Sequence, residues 1–197
     1  ECARVHNVDK FVFSSTSAVY GNRMFNPKYE TNQVQCLNTY SISKYSGEQL
    51  CEMYYHLYGL QTVMFRYFNV YGEGCHKSGQ YAPVMSIFKK QKDNKEPLTV
   101  VEPGYQTRDF VHVSDVVYAN ILATQRDLEE YGQVFNIGTG EGIEIQTIAD
   151  LISDYQITIP QRSGEVMHST ANIDKVKNIL GWKWSVKVIE WVKKNLK

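Results

Sequence analysis

The order strand, helix, strand near the start of the chain constrains the fold more than any other feature. A short apolar run, residues 11–13, breaks directly into hydroxyl residues at positions 14–17. Residues 40–58 carry apolar and aromatic side chains at helical spacing and stop at Gly59, and residues 62–68 are rich in β-formers. Two strands joined through a helix favour a right-handed parallel crossover, so the sequence predicts an α/β fold with a parallel sheet.

The end of the first predicted strand carries three hydroxyl residues, Ser14, Ser15 and Thr16. The carboxyl ends of parallel strands open into the crevice in which such sheets bind ligands. On the helix that follows, Tyr40 and Lys44 are four residues apart, which places a phenol and an ammonium group on one face. The exposed face of an amphipathic helix gives the same pattern, so the pair decides nothing alone. With Thr16 it forms a candidate acid/base site.

Further elements are expected along the chain. Residues 22–38 are polar and contain Pro27, which is typical of a surface loop. The other predicted strands cover residues 98–101 and 134–138, and the other predicted helices cover residues 83–91, 116–126, 145–155, 173–180 and 186–196. Ser114 or Asp115 is the predicted N-cap of the helix at 116–126.

Composition and charge disfavour several classes of function. Lys plus Arg and Asp plus Glu both number 21, so the formal net charge is zero, which argues against a nucleic-acid partner or a membrane surface. The four cysteines are widely spaced without a Cys-x-x-Cys pair, so we expect no metal site and a reducing cytoplasm. No apolar run approaches the length of a membrane span. We therefore expect a soluble, cytoplasmic protein.

Five motifs occur in the order and approximate spacing of one enzyme family. They are Thr16, Tyr40-x-x-x-Lys44, Arg66-Tyr67-Phe68-Asn69-Val70-Tyr71-Gly72, the run Gln-Thr-Arg-Asp-Phe-Val-His-Val at 106–113 and the run Phe-Asn-Ile-Gly-Thr-Gly at 135–140. In these motifs the chain resembles the extended short-chain dehydrogenases/reductases that act on nucleotide sugars, most closely the UDP-galactose (UDP-glucose) 4-epimerase group. The resemblance runs from Val5 to about Trp184.

The resemblance implies a partial Rossmann-like, doubly wound parallel sheet, of which this sequence holds only the C-terminal strands, with a smaller α/β substrate-binding domain. It assigns residues 1–71 and 109–139 to the NAD-binding domain, and residues 72–108 and 140–197 to the nucleotide-sugar-binding domain. The family's Gly-x-x-Gly-x-x-Gly turn, which holds the NAD pyrophosphate, does not occur in the sequence. Because the chain also starts at Glu1 rather than at Met, we expect a fragment or a free-standing remnant.

The resemblance also implies NAD as cofactor. Epimerisation at carbon 4 inverts a centre with an unactivated C–H bond, so direct deprotonation fails, whereas hydride removal to a nicotinamide gives a ketone that can turn and be reduced on its other face. Tyr40 is the implied base for the hydroxyl, and the positive charge of Lys44 favours its phenolate form. Thr16 is the third implied catalytic residue and orients the reacting oxygen. The residues assigned to NAD are Ser14, Ser15, Tyr40, Lys44 and Tyr67.

The substrate implied by the resemblance is a UDP-sugar. The residues assigned to it are Thr16, Asn69, Val84, Arg108, Arg162, Glu165 and Ser169. Arg108 and Arg162 match two arginines that clamp the diphosphate, a role that suits bidentate guanidinium contacts, although surface or helix-capping arginines are the alternative. Glu165 stands where the family commonly has an Asp bonded to the nucleotide ribose. Val84 and residues 98–101 would wall the uracil, and core packing accounts for them nearly as well.

Other residues of these motifs are expected to be structural. Asp109 and Asp115 are predicted to cap or pair, and His112 is predicted to be a core or hydrogen-bonded histidine. Residues 136–140 are predicted to form a tight turn, whose glycines are distinct from the missing dinucleotide fingerprint.

Within the family, a 4-epimerase is favoured. Related 4,6-dehydratases generally carry an Asp-Glu pair just after the catalytic hydroxyl and UDP-glucuronate decarboxylases typically carry a Glu nearby, whereas Ser17 and Ala18 follow here. Ser169 falls on the family's gate position, where a small residue admits N-acetylated sugars. We therefore expect activity on UDP-glucose and UDP-galactose, extended to their N-acetylated counterparts, in a complete enzyme that forms a homodimer. Another dehydratase, decarboxylase or epimerase of the family and a truncated non-catalytic fragment stay open as alternatives.

Overall fold

The structure of the chain is a computed structural model that describes residues 1–75, 83–161 and 165–196. The helices are α1 (Cys2–Val5), α2 (Thr39–Tyr58), α3 (Val84–Asp93), α4 (Val113–Gln125), α5 (Ile145–Ile152), α6 (Asp174–Leu180) and α7 (Val188–Asn195). The strands are β1 (Lys10–Thr16), β2 (Gln61–Tyr67), β3 (Asn69–Tyr71), β4 (Leu98–Val101), β5 (Thr107–His112), β6 (Gln133–Ile137), β7 (Gly142–Glu144), β8 (Gln156–Ile159) and β9 (His168–Ser169). A 3₁₀ turn, Ser17–Tyr20, follows β1.

A three-stranded parallel sheet in the order β1-β2-β6 forms one edge of a cavity that Thr16 and Tyr67 line. The paired residues run from Lys10 and Gln61 to Thr16 and Tyr67, so β1 and β2 end side by side. Between them, α2 starts where the Asn38 side chain accepts a hydrogen bond from the N–H of Ser41, the third residue of the helix, and it stops at Gly59 in a left-handed conformation. The predicted α/β fold with parallel strands is confirmed.

The remaining strands form two smaller sheets. Strand β5 pairs in parallel with β3 and β9, and antiparallel with β7. Strands β4 and β8 form a parallel pair. There are two hydrophobic clusters, one around Phe65, Phe135 and Trp182 and the other around Phe88 and Ile148, and β5 contributes to both. Burying one large apolar side chain in such a cluster stabilises the fold by about 1.5–3 kcal/mol.

Several boundaries differ from the sequence prediction, most clearly at the start of α4 and the end of α5. The sequence predicts Ser114 or Asp115 as the N-cap of α4, but this is wrong because the cap is His112, whose ring Nδ1 accepts the Ser114 N–H at 3.3 Å. The predicted helix at 145–155 ends early, at Ile152, because the backbone of the next residue is extended. None of the helices in the described ranges is long and apolar enough to cross a membrane.

Candidate active site

A cavity of about 430 Å³ opens beside the carboxyl ends of β1 and β2. The predicted site residues that line it are Ser15, Thr16, Tyr40, Tyr67, Asn69, Val84, Arg108 and Glu165. Ser14, Lys44 and Ser169 are outside this lining among the described residues. Arg162 lies outside the described part of the chain. Side chains that are far apart in sequence therefore face one space, as the parallel strands predict.

Tyr40 and Lys44 stand together on the first turns of α2, next to the end of β1. The Lys44 Nζ lies 6.0 Å from the centre of the Tyr40 ring and 5.3 Å from that of Phe13. It donates a hydrogen bond of 2.9 Å to the main-chain oxygen of Ser14, which fixes the lysine against the strand. Tyr40 is 39% exposed, so its ring is open to a molecule that enters the cavity.

Thr16 ends β1 and caps the 3₁₀ turn that follows. Its Oγ1 accepts the N–H of Ala18 at 3.2 Å. A threonine hydroxyl can accept that bond and still donate its own proton, so Thr16 has a donor for an oxygen in the cavity.

The two serines before Thr16 are held by different partners. The Ser15 hydroxyl donates to the buried carboxylate of Glu48. The Ser14 hydroxyl lies 3.4 Å from the Tyr67 phenol, to which Asn120 donates at 2.9 Å. Asn120 and Glu48 were not singled out by sequence reasoning, because neither is near the strand ends in sequence. They are the groups that position this edge of the cavity.

Arg108 and Glu165 form an ion pair in the wall of the cavity, and each side chain is 16% exposed. The Arg108 Nη2 donates to the Glu165 carboxylate. Its Nη1 donates to the main-chain oxygens of Val166 and Thr107, at 2.6 and 3.0 Å. Burial lowers the pKa of Arg108 and the carboxylate opposes that shift, and the guanidinium stays charged.

The remaining wall is largely apolar and comes from α3, β4 and β5. Val84 is the first residue of α3, and Asn69 opens β3 directly opposite Phe110 in the sheet. Gln106 lines the same wall and was also missed as a site residue, although it opens the motif at 106–113. Its Nε2 donates to the Val101 oxygen at 3.0 Å, whereas its buried Oε1 has no partner among the described residues. Ser169 is paired with Arg108 across β9 and β5.

The fold and this site define a Rossmann-like α/β protein with a Tyr-Lys pair at the carboxyl edge of a parallel sheet. The chain belongs to the NAD dependent epimerase/dehydratase family, which matches residues 1–138. Among the described residues, no group of three or more His, Cys, Asp and Glu side chains could hold a metal ion.

Three solved structures illustrate the similarity. UDP-glucose 4-epimerase from Thermotoga maritima, determined with UDP-glucose, is 35% identical with a TM-score of 0.90 over 98% of this chain. UDP-N-acetylglucosamine 4-epimerase from Methanobrevibacter ruminantium, in complex with UDP-N-acetylmuramic acid, is 30% identical with a TM-score of 0.91 over 98% of this chain. UDP-glucose 4-epimerase from Thermus thermophilus, in complex with NAD, is 28% identical with a TM-score of 0.85 over 97% of this chain. This chain spans 64% of the length of each of them.

Proposed function

We propose that this chain carries the catalytic edge and the nucleotide-sugar site of an NAD-dependent 4-epimerase. Its substrates are UDP-glucose and UDP-galactose, together with UDP-N-acetylglucosamine and UDP-N-acetylgalactosamine. The observation that carries the proposal is that Thr16, Tyr40 and Arg108 line one cavity, which brings an acid/base pair of hydroxyls and a fixed cation to the same space. The similarity to epimerases determined with UDP-sugars supports it.

The residues at the end of β1 fit the nicotinamide and ribose end of NAD. Lys44 has three N–H donors, and the Ser14 oxygen takes one, so donors remain for ribose hydroxyls. The Tyr40 phenol and the Ser14 hydroxyl add neutral hydrogen-bonding groups, and Tyr67 and Ser15 border the same edge. When bound, NAD supplies the reversible oxidation of the sugar alcohol to a ketone.

The chain's own residues handle the proton. The positive charge of Lys44 favours the phenolate form of Tyr40, which takes the proton of the carbon-4 hydroxyl; the neutral phenol that this forms later returns the proton. The Thr16 hydroxyl donates a hydrogen bond to the same sugar oxygen and so holds that oxygen in place. The N–H of Ala18 occupies one lone pair of the Thr16 Oγ1, which directs the remaining O–H.

The other end of the cavity suits the nucleotide. Arg108 binds the diphosphate by charge-assisted hydrogen bonds, and Arg162 is its proposed partner. Asn69 donates to the same group, and Glu165 accepts from the ribose. Val84 and β4 wall the uracil. Ser169 is the proposed gate residue, small enough to admit the acetamido group of N-acetylated sugars.

The test is an assay of the full-length protein with UDP-glucose, UDP-N-acetylglucosamine and UDP-glucuronate, with NAD present. Tyr40→Phe is expected to lower kcat by about 10²-fold or more, because general acid/base groups contribute about 10²–10⁴. Tyr58→Phe, on the exposed end of the same helix, is the control and should turn over normally. Unchanged kcat in Tyr40→Phe, or no conversion of any UDP-sugar by the wild type, would contradict the proposal.

A further inference from the structure

Within the described residues, the lining of the cavity carries no net charge before any ligand enters. Among the described residues that line it, Arg108 and Glu165 are the charged ones, and they are paired with each other. An anion that takes the charge-assisted hydrogen bond that Arg108 now donates to Glu165 must therefore displace that carboxylate. The need for displacement comes from the ion pair with Glu165, since an unpaired arginine would bind an anion directly.

The geometry keeps Arg108 in place during such an exchange. Two main-chain oxygens, those of Thr107 and Val166, hold the Nη1 side of the guanidinium. The Thr107 N–H also donates to the Met167 oxygen at 2.8 Å, which ties the segment that carries Glu165 to β5. The Nη2 side contacts only the carboxylate of Glu165 within the described residues. The carboxylate can turn away while the guanidinium stays fixed.

A displaced carboxylate is unfavourable in this position. It would remain largely buried, next to an anionic ligand, and a buried charge without partners is costly. A ligand that carries hydroxyl donors beside its diphosphate removes this penalty, because the hydroxyls can hydrogen-bond the displaced carboxylate. Inorganic pyrophosphate has the same charged groups but no such donors.

We propose that Glu165 is a specificity-determining residue that makes Arg108 available to nucleoside diphosphates and withholds it from simple anions. The inference rests on the proposed function and adds to it a reason why the site rejects pyrophosphate and phosphate. Ligand binding is an exchange in which the diphosphate replaces Glu165 on Arg108 and the ribose hydroxyls satisfy Glu165.

The test compares the binding of UDP and of inorganic pyrophosphate to the full-length protein by calorimetry. Glu165→Gln keeps the shape of the side chain and removes its charge. In this variant the affinity for pyrophosphate is expected to rise more than the affinity for UDP. The ratio of the two dissociation constants should fall by about tenfold or more, the range of one charge-assisted hydrogen bond. Glu165→Asp keeps the charge and should change the ratio less, and Glu129→Gln, on an exposed loop, should leave it unchanged.

Thermal shift is a second readout, since pyrophosphate should stabilise Glu165→Gln more than the wild type. An unchanged ratio in Glu165→Gln, with UDP still bound, would overturn the inference and leave the proposed function standing. If the wild type does not bind UDP, the proposed function fails first and the inference fails with it.

Discussion

Glu48 and Arg66 are single residues that hold the end of β1 at the cavity. Their side chains are 2% and 4% exposed, and the Arg66 Nη2 lies 2.7 Å from the Glu48 Oε2. The same carboxylate accepts from Ser15, which precedes Thr16. Burial is the largest single effect and opposes the charge of Arg66, but the hydrogen bonds and charge of Glu48, together with Tyr20, outweigh burial and raise the pKa of Arg66. The placement of Thr16 thus depends on a pair of buried charges that lies outside the lining of the cavity.

Arg66→Met should lower the free energy of unfolding by about 3–5 kcal/mol, because it leaves Glu48 buried without a partner charge. The double variant Glu48→Leu/Arg66→Met should lose much less than the sum of the two single losses, since both charges are gone. Chemical denaturation of the full-length protein measures both. Additive losses in the double variant would show that the two charges do not depend on each other.

Lys28 is the opposite case, a cation that is 1% exposed and has no carboxylate partner among the described residues. Its Nζ donates to the Arg23 oxygen at 2.5 Å, and burial lowers the pKa of Lys28. The unfolded state therefore binds more protons than the folded state in the pH window between the lowered folded-state pKa and the unfolded-state pKa of about 10.4. The contribution of Lys28 to stability improves as the pH rises through that window.

Replacing Lys28 with Met should raise the free energy of unfolding by about 1 kcal/mol at pH 7, because an unpaired buried ammonium is removed. The advantage over the wild type should shrink as the pH approaches 10. Lys183→Met, at an exposed position, is the matched control and should show neither effect. A pH-independent difference between Lys28→Met and the wild type would contradict the assignment.

At the scale of elements, β5 connects the parts of the molecule. Its Asp109 is fully buried and accepts hydrogen bonds from the N–H groups of Thr139, Gly140 and Ala171, at 2.6, 2.9 and 3.0 Å. Burial raises the pKa of Asp109, and these donors oppose the shift. One carboxylate therefore ties β5 to the turn after β6 and to the chain before α6, as the sequence predicts in assigning it a structural role.

Asp109→Asn should lower the free energy of unfolding by about 2–4 kcal/mol. The NH₂ group of the asparagine would face backbone N–H groups, and two donors cannot form a hydrogen bond with each other. Asp93→Asn breaks an exposed pair with Lys89 and should change stability by less than about 0.5 kcal/mol. Urea denaturation of both variants checks the difference. Equal stability of the two would mean that the Asp109 hydrogen bonds contribute little.

The elements that sequence reasoning predicts well are those defined by local pattern. Helix α2 and strands β1 and β2 follow from periodicity, and Tyr40 and Lys44 share a face because they are four residues apart. Strands β7 and β9 have three and two residues and are defined by pairing with β5 from distant parts of the chain, which local propensity does not encode. The contact of Arg108 with Glu165 is unpredictable for the same reason.

At the scale of the whole molecule, two hydrophobic clusters contribute to one cavity. The division into an NAD-binding unit, residues 1–71 and 109–139, and a nucleotide-sugar unit, residues 72–108 and 140–197, stays a proposal, and each cluster contains residues of both units. Ala171, Val176 and Trp182 pack in the first cluster, so we infer that the chain around α6 belongs to both units. A ligand in the cavity would touch side chains anchored in each cluster.

UDP should therefore stabilise the whole molecule rather than one unit. In the full-length protein, a UDP concentration 100 times its dissociation constant should add about 2.7 kcal/mol to the free energy of unfolding. Hydrogen exchange should slow both in α3 and β4, which lie on one side of the cavity, and at the end of β1, on the other. Arg108→Gln should abolish the UDP-dependent rise in Tm, and its ligand-free Tm serves as the reference. If UDP slowed hydrogen exchange only in α3 and β4, exchange at the end of β1 would be the same as in the free protein. The nucleotide would then bind without coupling the two clusters.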